Sequence, residues 1–155
     1  LYVGLMIKNE KPYLIEFNVR MGDPECQTIL PLLENDLSEI FFDCCVGKLS
    51  EKKIRLSNKK SICIVLCTKG YPEDYKKDSE LSKLNKLSLK NNEYIYHAGT
   101  KLKNNKVLNS GGRVLNFVST SNNLKESRDD LIKLIKILDW KDGFFRKDIA
   151  YKVID

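Results

Sequence analysis

The stretch YLIEFNVRMGDPE, residues 13–25, carries a carboxylate, an amide and a guanidinium at alternate positions, Glu16, Asn18 and Arg20. Alternate residues of a strand point to the same face, about 6.5–7 Å apart along it. Carboxylate and amide oxygens suit Mg²⁺, which usually takes one or two protein oxygens and completes its shell with water and nucleotide phosphates. Glu16 and Asn18 are therefore predicted to form half of a magnesium–nucleotide site. The alternative is the solvent-facing polar side of an edge hairpin.

The residues after this strand extend the same chemistry. Arg20 lies one strand step further on, where its guanidinium is placed to bind a phosphate; an ion pair with Asp23 or Glu25 is the alternative. Gly22 allows a sharp turn and a close approach to a ligand. Asp23, Pro24 and Glu25 also fit the N-cap, the first position and the first turn of a helix.

The composition indicates a folded chain without a dedicated nucleic-acid face. Of its 155 residues, 42% are hydrophobic and 31% are charged, with a net charge of +6, which is typical of a globular domain. The lysines alternate with acids and no stripe of arginine and aromatic residues accompanies them, so a solvated surface is favoured. No apolar run approaches the roughly 20 residues that span a membrane. Because residues 1–7 already read as a strand, we expect the chain to be cut from a longer protein.

The five cysteines are predicted to be free thiols. Their spacing matches no zinc-binding pattern, and His97 is the single histidine. Apolar neighbours favour burial in a reducing compartment. The cysteines are Cys26, Cys44, Cys45, Cys63 and Cys67.

Two apolar runs at the start, residues 2–7 and 13–19, flank a short polar loop and predict a hairpin. Ile15, Phe17 and Val19 are expected to lie on the face away from Glu16 and to pack into a core.

The next residues predict helices and then a boundary. A helix that begins after the hairpin is kinked or ended by Pro31, and a second is predicted over 36–49 from its apolar stripe. The polar, basic stretch 50–60 is the best candidate for a boundary. It would divide the chain into residues 1–50 and 51–155.

The second part reads as strands followed by one strong helix. Strands are predicted over 61–68 and 113–120, and a strand pair over 94–100 and 107–110. Asn123 is predicted to cap a long amphipathic helix. Strand runs at hairpin spacing with few crossover helices predict an α+β fold, with a mostly antiparallel sheet and packed helices.

Five separated segments resemble one enzyme family. They are VGLMIKNEKPYLIEFNVRMGDPECQ (3–27), KGYPEDY (69–75), HAGTK (97–101), NSGGRVL (109–115) and FFRKDIAYKVI (144–154). In this order and spacing they resemble the C-terminal portion of the phosphoribosylamine–glycine ligase family. The resemblance covers essentially the whole chain.

The resemblance implies an ATP-dependent, cytoplasmic ligase of purine biosynthesis with no nucleic-acid or membrane partner. The family joins glycine to 5-phosphoribosylamine through an acyl phosphate and consumes ATP. Residues 1–50 would be the C-terminal end of its ATP-grasp domain, and residues 51–155 its C-terminal domain. Since the glycine-rich nucleotide loop and the amino-terminal domain are missing, we expect the isolated chain to be inactive without the N-terminal part of its own protein.

The resemblance also implies roles for single residues. Glu16 and Asn18 match the family's ligands for Mg²⁺ or Mn²⁺, and Arg20 is the candidate catalytic residue. The candidate substrate-binding residues are Gly22, Asp23, Glu25, Gly112 and Arg113.

Other positions keep two interpretations. His97 is either structural or catalytic, with the structural role favoured. Residues 111–113 form either an anion-binding turn or a plain β-turn that enters a strand. Ala150 stands where the resemblance implies a glycine.

Two other functions stay open on the sequence alone. One is an ATP-grasp carboxylate–amine ligase with a different acceptor. The other is a non-catalytic basic domain that binds RNA or DNA, which would lose affinity steeply as salt rises.

Overall fold

A computed structural model describes residues 1–154. None of the helices in that range is both long and apolar enough to cross a membrane. The strands are β1 (Tyr2–Lys8), β2 (Lys11–Asn18), β3 (Lys60–Thr68), β4 (Glu93–His97), β5 (Thr100–Lys103), β6 (Lys106–Asn109), β7 (Arg113–Ser121) and β8 (Gly143–Phe144). The α-helices are α1 (Glu25–Ile29), α2 (Leu37–Cys45), α3 (Leu124–Leu138) and α4 (Tyr151–Ile154), and short 3₁₀ helices cover Leu30–Leu32, Leu49–Glu51 and Leu84–Lys86.

The centre of the fold is a four-stranded antiparallel sheet in the order β4-β7-β3-β8. Two separate hairpins, β1–β2 and β5–β6, accompany it, and their strands are also antiparallel. The predicted α+β class with antiparallel strands is confirmed.

One face of this sheet forms the core. Ile64 of β3 lies opposite Phe117 of β7, and both are fully buried beneath α3. The side chain of Asn123 accepts hydrogen bonds from the N–H groups of Lys125 and Glu126, which confirms the predicted cap. The helix then buries its apolar stripe, Leu131, Leu134, Ile135 and Leu138.

The predicted strand pair over 94–100 and 107–110 is wrong. β4 pairs with β7 in the main sheet, and only the residues from Thr100 onward pair with β6. The change of sheet occurs at Gly99, whose N–H donates to the carbonyl of Arg113 at 2.8 Å. The backbones pass so closely there that a Cβ on Gly99 would lie 2.7 Å from the Cα of Gly111. This crossing bends the chain from one sheet into the next hairpin.

The second predicted helix begins where expected and ends early. The carboxylate of Asp36 accepts from the N–H groups of Ser38 and Glu39, and so caps α2. The helix stops at Cys45 because Gly47 adopts a φ of 73°, and the Lys48 N–H then bonds to the Asp43 carbonyl at 2.8 Å.

The predicted burial of the cysteines is only partly right. Cys63 is buried, whereas Cys44 and Cys45 are exposed together with Phe41 and Phe42 on α2. Within residues 1–154 nothing covers this apolar side of the helix, so its thiols remain open to solvent.

The predicted core face of the first hairpin is likewise uncovered. Phe17 and Ile15 are each 61% exposed, and Val19 is 97% exposed. The expectation that they pack into a core is wrong for this chain, because no described element lies over the β1–β2 hairpin.

Candidate functional site

The β1–β2 hairpin places Glu16 and Asn18 on one face. Tyr2 lies opposite Asn18, and Gly4 lies opposite Glu16. Residues that face each other across an antiparallel pair project to the same side. A Cβ on Gly4 would lie only 3.1 Å from the Cγ of Glu16, so the glycine leaves room for the stem of that acid.

A β-bulge precedes the acid. The register shifts between Gly4, which faces Glu16, and Leu5, which faces Leu14, so Ile15 is the extra residue. A bulge bends the strand and redirects the side chains that follow it. The direction of Glu16 is therefore set by a local irregularity as well as by strand alternation.

Tyr2 connects this face to the turn that follows β2. Its hydroxyl donates to Oε1 of Glu25 at 3.3 Å. A Cβ on Gly22 would lie 2.8 Å from the Glu25 carboxyl carbon and 3.1 Å from Cζ of Tyr2. The absence of a side chain at Gly22 thus lets the phenol and the carboxylate meet. The charge of Glu25, followed by burial, raises the pKa of the Tyr2 phenol, which stays protonated and donates.

Arg20 is exposed and its guanidinium is not held by an acid. Its Nη1 donates to the carbonyl of Met21 at 3.0 Å. Within residues 1–154, neither Asp23 nor Glu25 forms a salt bridge with it; the only salt bridge from either is Asp23 with Arg113. The alternative ion pair therefore does not form, and the side chain is available to an anion.

Asp23 does not cap α1, which corrects that prediction. The helix begins at Glu25, with Pro24 at the cap position and no side-chain cap. Asp23 instead accepts from Gln27 at 3.2 Å and pairs with Arg113, whose Nη2 lies 3.1 Å from Oδ2. Nη1 of Arg113 donates to the backbone carbonyl of Asp23 at 3.2 Å. Two predicted substrate-binding residues that are 90 positions apart in sequence thus contact each other.

A buried polar network positions the turn before Arg113. The Thr68 N–H donates to the Gly112 carbonyl at 2.7 Å, and its hydroxyl donates to the Gly111 carbonyl at 3.0 Å. Asn109, which is fully buried, donates to the Thr68 hydroxyl at 3.1 Å and to the Lys76 carbonyl at 2.7 Å. Because its partners are fixed on both sides, this turn has little freedom.

His97 belongs to the neighbouring corner of the sheet. Its Nδ1 lies 2.9 Å from the Thr100 hydroxyl, and the ring is exposed. This contact ties the end of β4 to the start of β5 and supports the structural interpretation.

An open groove of about 980 Å³ lies beside the turn after β2, and its lining comes mostly from the first part of the chain. Arg20, Gly22 and Asp23 line it from the turn after β2, and Tyr96 lines it from β4. Burial raises the pKa of the Tyr96 phenol, and its ring stacks on Tyr94 with centroids 6.0 Å apart. Among the described lining residues, the second part of the chain therefore contributes Tyr96 alone.

The donor set on β2 fits a hard divalent cation. Glu16 supplies a carboxylate, and the Asn18 amide nitrogen is buried without a hydrogen-bond partner in residues 1–154. No described hydrogen bond fixes the direction of this amide, so its oxygen is free to act as a ligand. In the same range no group of three or more His, Cys, Asp or Glu side chains could hold a metal by itself. This set suits an ion such as Mg²⁺ that takes few protein ligands.

A protein-family model described as "Phosphoribosylglycinamide synthetase, C domain" matches residues 61–152. The chain belongs to this family. The match contains the whole four-stranded sheet apart from the first residue of β3, and it contains α3.

Similar proteins cover the first part as well. This chain is 41% identical to the phosphoribosylamine–glycine ligase of Caldanaerobacter subterraneus subsp. tengcongensis, over 97% of its own length. It is 40% identical to the phosphoribosylamine–glycine ligase of Haemophilus influenzae, over 100% of its own length. The "Trifunctional purine biosynthetic protein adenosine-3" of Gallus gallus is 39% identical over 99% of this chain and 15% of its own length. The chain spans about a third of the two bacterial relatives, 35% and 36%.

A solved structure shares the fold. The crystal structure of phosphoribosylamine–glycine ligase from Thermotoga maritima aligns with a TM-score of 0.72 at 29% identity, over 96% of this chain and 36% of that one. The arrangement of hairpin, sheet and helices in this member of the synthetase family is therefore also found in a relative with that name.

Sequence reasoning missed two residues of the site. Tyr2 gave no signal because a tyrosine near the start of a strand is ordinary. Tyr96 gave no signal either, because an aromatic residue within a predicted strand is equally ordinary. The alternation of β4 places Tyr94 and Tyr96 on one face, but the groove that Tyr96 borders is visible only in three dimensions.

Proposed function

We propose that this chain is the C-terminal portion of an ATP-dependent phosphoribosylamine–glycine ligase in cytoplasmic purine biosynthesis. The observation that carries the proposal is the common face of Glu16 and Asn18, directly before Arg20 and the groove. Glycine, ATP and 5-phosphoribosylamine are the proposed substrates. The names of the similar proteins support this choice.

The proposed reaction has two steps. A carboxylate oxygen of glycine attacks the γ-phosphorus of ATP and releases ADP. The amine of phosphoribosylamine then attacks the acyl carbon, and phosphate leaves as the amine loses a proton. Arg20 is proposed to bind the transferred phosphoryl group, since no described acid neutralises its guanidinium.

Glu16 and Asn18 are proposed to hold Mg²⁺ or Mn²⁺ through their oxygens. When bound, the cation would offset the negative charge of the ATP phosphates. The remaining candidates, Gly22, Asp23, Glu25, Gly112 and Arg113, are proposed to bind phosphoribosylamine, which carries both a phosphate and an amine. Asp23 and Arg113 contact each other, so an acid and a guanidinium lie close together and could complement the amine and the phosphate.

The chain is proposed to contribute to two domains of the parent protein, with the boundary at residue 50. Residues 1–50 would complete an ATP-grasp domain with the N-terminal part of the parent protein, and residues 51–155 would form its C-terminal domain. The exposed apolar residues of β1, β2 and α2 support this, since they offer a face to such a partner. The isolated chain should therefore release no ADP.

The test is ADP release by the full-length parent, with glycine and phosphoribosylamine each omitted in turn. Glu16→Gln and Asn18→Leu are expected to lower the rate by at least about 10–100-fold and to raise the Mg²⁺ concentration needed for half-maximal activity. Glu10→Gln is the matched control, because Glu10 is an exposed acid in the loop of the same hairpin.

Two outcomes would contradict the proposal. ADP release that depends on a different amine would indicate another carboxylate–amine ligase. Normal activity of Glu16→Gln at low Mg²⁺ would remove the metal role of this strand.

A further inference from the structure

Tyr2 lies near three charged candidate site residues, Glu16, Arg20 and Glu25, and is not itself a candidate from the sequence. It lies across the hairpin from Asn18, and its hydroxyl bonds to Glu25 at 3.3 Å. The charges of Glu25 and Glu16 raise the pKa of its phenol, whereas that of Arg20 lowers it, so all three groups lie within electrostatic reach.

The contact joins two separate elements. Tyr2 belongs to β1, and Glu25 begins α1, 23 residues later. Between them the chain passes through the end of β2 and the turn at Gly22. Because the ring and the carboxylate both pack against the bare Cα of Gly22, this contact also limits how that turn can move.

The phenol holds only one oxygen of the acid. Oε1 of Glu25 accepts from Tyr2, while Oε2 accepts no hydrogen bond from any other residue of 1–154. A carboxylate fixed in this manner keeps one acceptor with a defined direction. The second oxygen can then accept from a primary amine.

We propose that Tyr2 is a positioning residue that fixes the carboxylate of Glu25 to receive the amine of the acceptor substrate. This inference rests on the proposed ligase function and deepens it, because it assigns the amine end of phosphoribosylamine to Glu25. Tyr2 does not touch the reacting atoms and acts only through the acid.

The experiment compares Tyr2→Phe, Glu25→Gln and the double variant in the full-length ligase. Tyr2→Phe keeps the ring on Gly22 and removes the hydroxyl. Since a hydrogen bond to a charged group is lost, kcat/KM for phosphoribosylamine should fall about ten- to hundredfold. The KM values for ATP and glycine should stay unchanged, and Tyr2→Phe should add nothing in the Glu25→Gln background.

Tyr13→Phe is the matched control. Tyr13 lies on the other strand of the same hairpin, is 53% exposed, and makes no hydrogen bond through its hydroxyl within residues 1–154. Its variant should have the kinetic constants of the unchanged enzyme.

A second readout checks the contact without using activity. Ultraviolet difference titration of the chain and its Tyr2→Phe variant isolates the Tyr2 phenol. Glu25→Gln should lower the pKa of that phenol, because the Glu25 charge is the largest cause of its rise.

The outcomes separate this inference from the function on which it rests. An active parent whose Tyr2→Phe variant has unchanged kinetics, or loses equally for all three substrates, overturns the positioning role alone. A phenol that titrates identically with and without Glu25 overturns it as well. A parent without glycine-dependent and amine-dependent ADP release would remove the proposed function, and the amine role of Glu25 with it.

Discussion

The first 50 residues leave the apolar side chains of their strands exposed, whereas the sheet region after them buries its own. Phe17 on β2 is 61% exposed, whereas Phe117 on β7 is 0% exposed. Both strands read as apolar runs in the sequence. The difference is that α3 covers the main sheet, while no described element covers the hairpin.

The contrast shows which region of the chain can form a hydrophobic core without additional residues. The sheet and α3 close a core by themselves, which is what a folding unit requires. The hairpin and α2 have good local signals, such as the Asp36 cap and the turn at Gly47, but they have no shared core. They resemble half of a domain, which agrees with a chain that covers about a third of its bacterial relatives.

The largest expected difference comes from the two phenylalanines. Phe117→Ala should lower the free energy of unfolding by about 3–5 kcal/mol, because it leaves a cavity under α3. Phe17→Ala should change it by less than about 0.5 kcal/mol. Urea unfolding followed by Trp140, the single tryptophan, measures both. A large effect of Phe17→Ala would show that the hairpin is covered in solution.

Two asparagines give the next comparison. Asn109→Ala should cost about 2–3 kcal/mol, since it leaves the buried Ser79 N–H and the part-buried Lys76 carbonyl without their partner. Asn35→Ala in the first part should cost about 1 kcal/mol or less, because its bonds to residues 53 and 55 are exposed to water. The same unfolding assay checks this pair, and equal losses would contradict the assigned burial.

The ion pair between the two regions should have a smaller effect. Asp23→Asn and Arg113→Gln should each cost less than about 1 kcal/mol, because both side chains are 42% exposed. A double-mutant cycle at low and high salt measures the coupling, which should shrink as salt screens it. Arg146→Gln and Asp148→Asn, an exposed pair within one segment, serve as the matched control. A coupling energy that stays constant with salt would contradict an exposed pair.

The smallest expected effect is a gain. Ala150 has a φ of 62°, a region that costs a residue with a side chain about 1–2 kcal/mol and glycine almost nothing. After the entropy of glycine in the unfolded chain is subtracted, Ala150→Gly should stabilise the sheet region by about 0.5–1 kcal/mol. Glu10 in the hairpin loop has the same φ, and Glu10→Gly should leave the Trp140 transition unchanged. A loss of stability in Ala150→Gly would contradict the strain.

The features that could be predicted from the sequence are those that a local residue pattern determines. Strand and helix positions in the second part follow from periodicity, and the glycine expected at position 150 is explained by the positive φ of Ala150. Pairing across long separations was not accessible. Nothing near Asp23 in the sequence indicates that Arg113 competes with its role as a helix cap, and strand alternation alone cannot show that the bulge at Ile15 redirects Glu16.

The close crossing of Gly99 and Gly111 controls where Arg113 lies, because the Gly99 N–H donates to the Arg113 carbonyl. A Cβ on Gly99 would lie 2.7 Å from the Cα of Gly111, and a Cβ on Gly111 would lie 3.1 Å from the Cα of Gly99, so a single methyl group would push the two backbones apart. A substitution at either glycine should therefore displace the Arg113 guanidinium from Asp23, although neither glycine contacts that ion pair through a side chain.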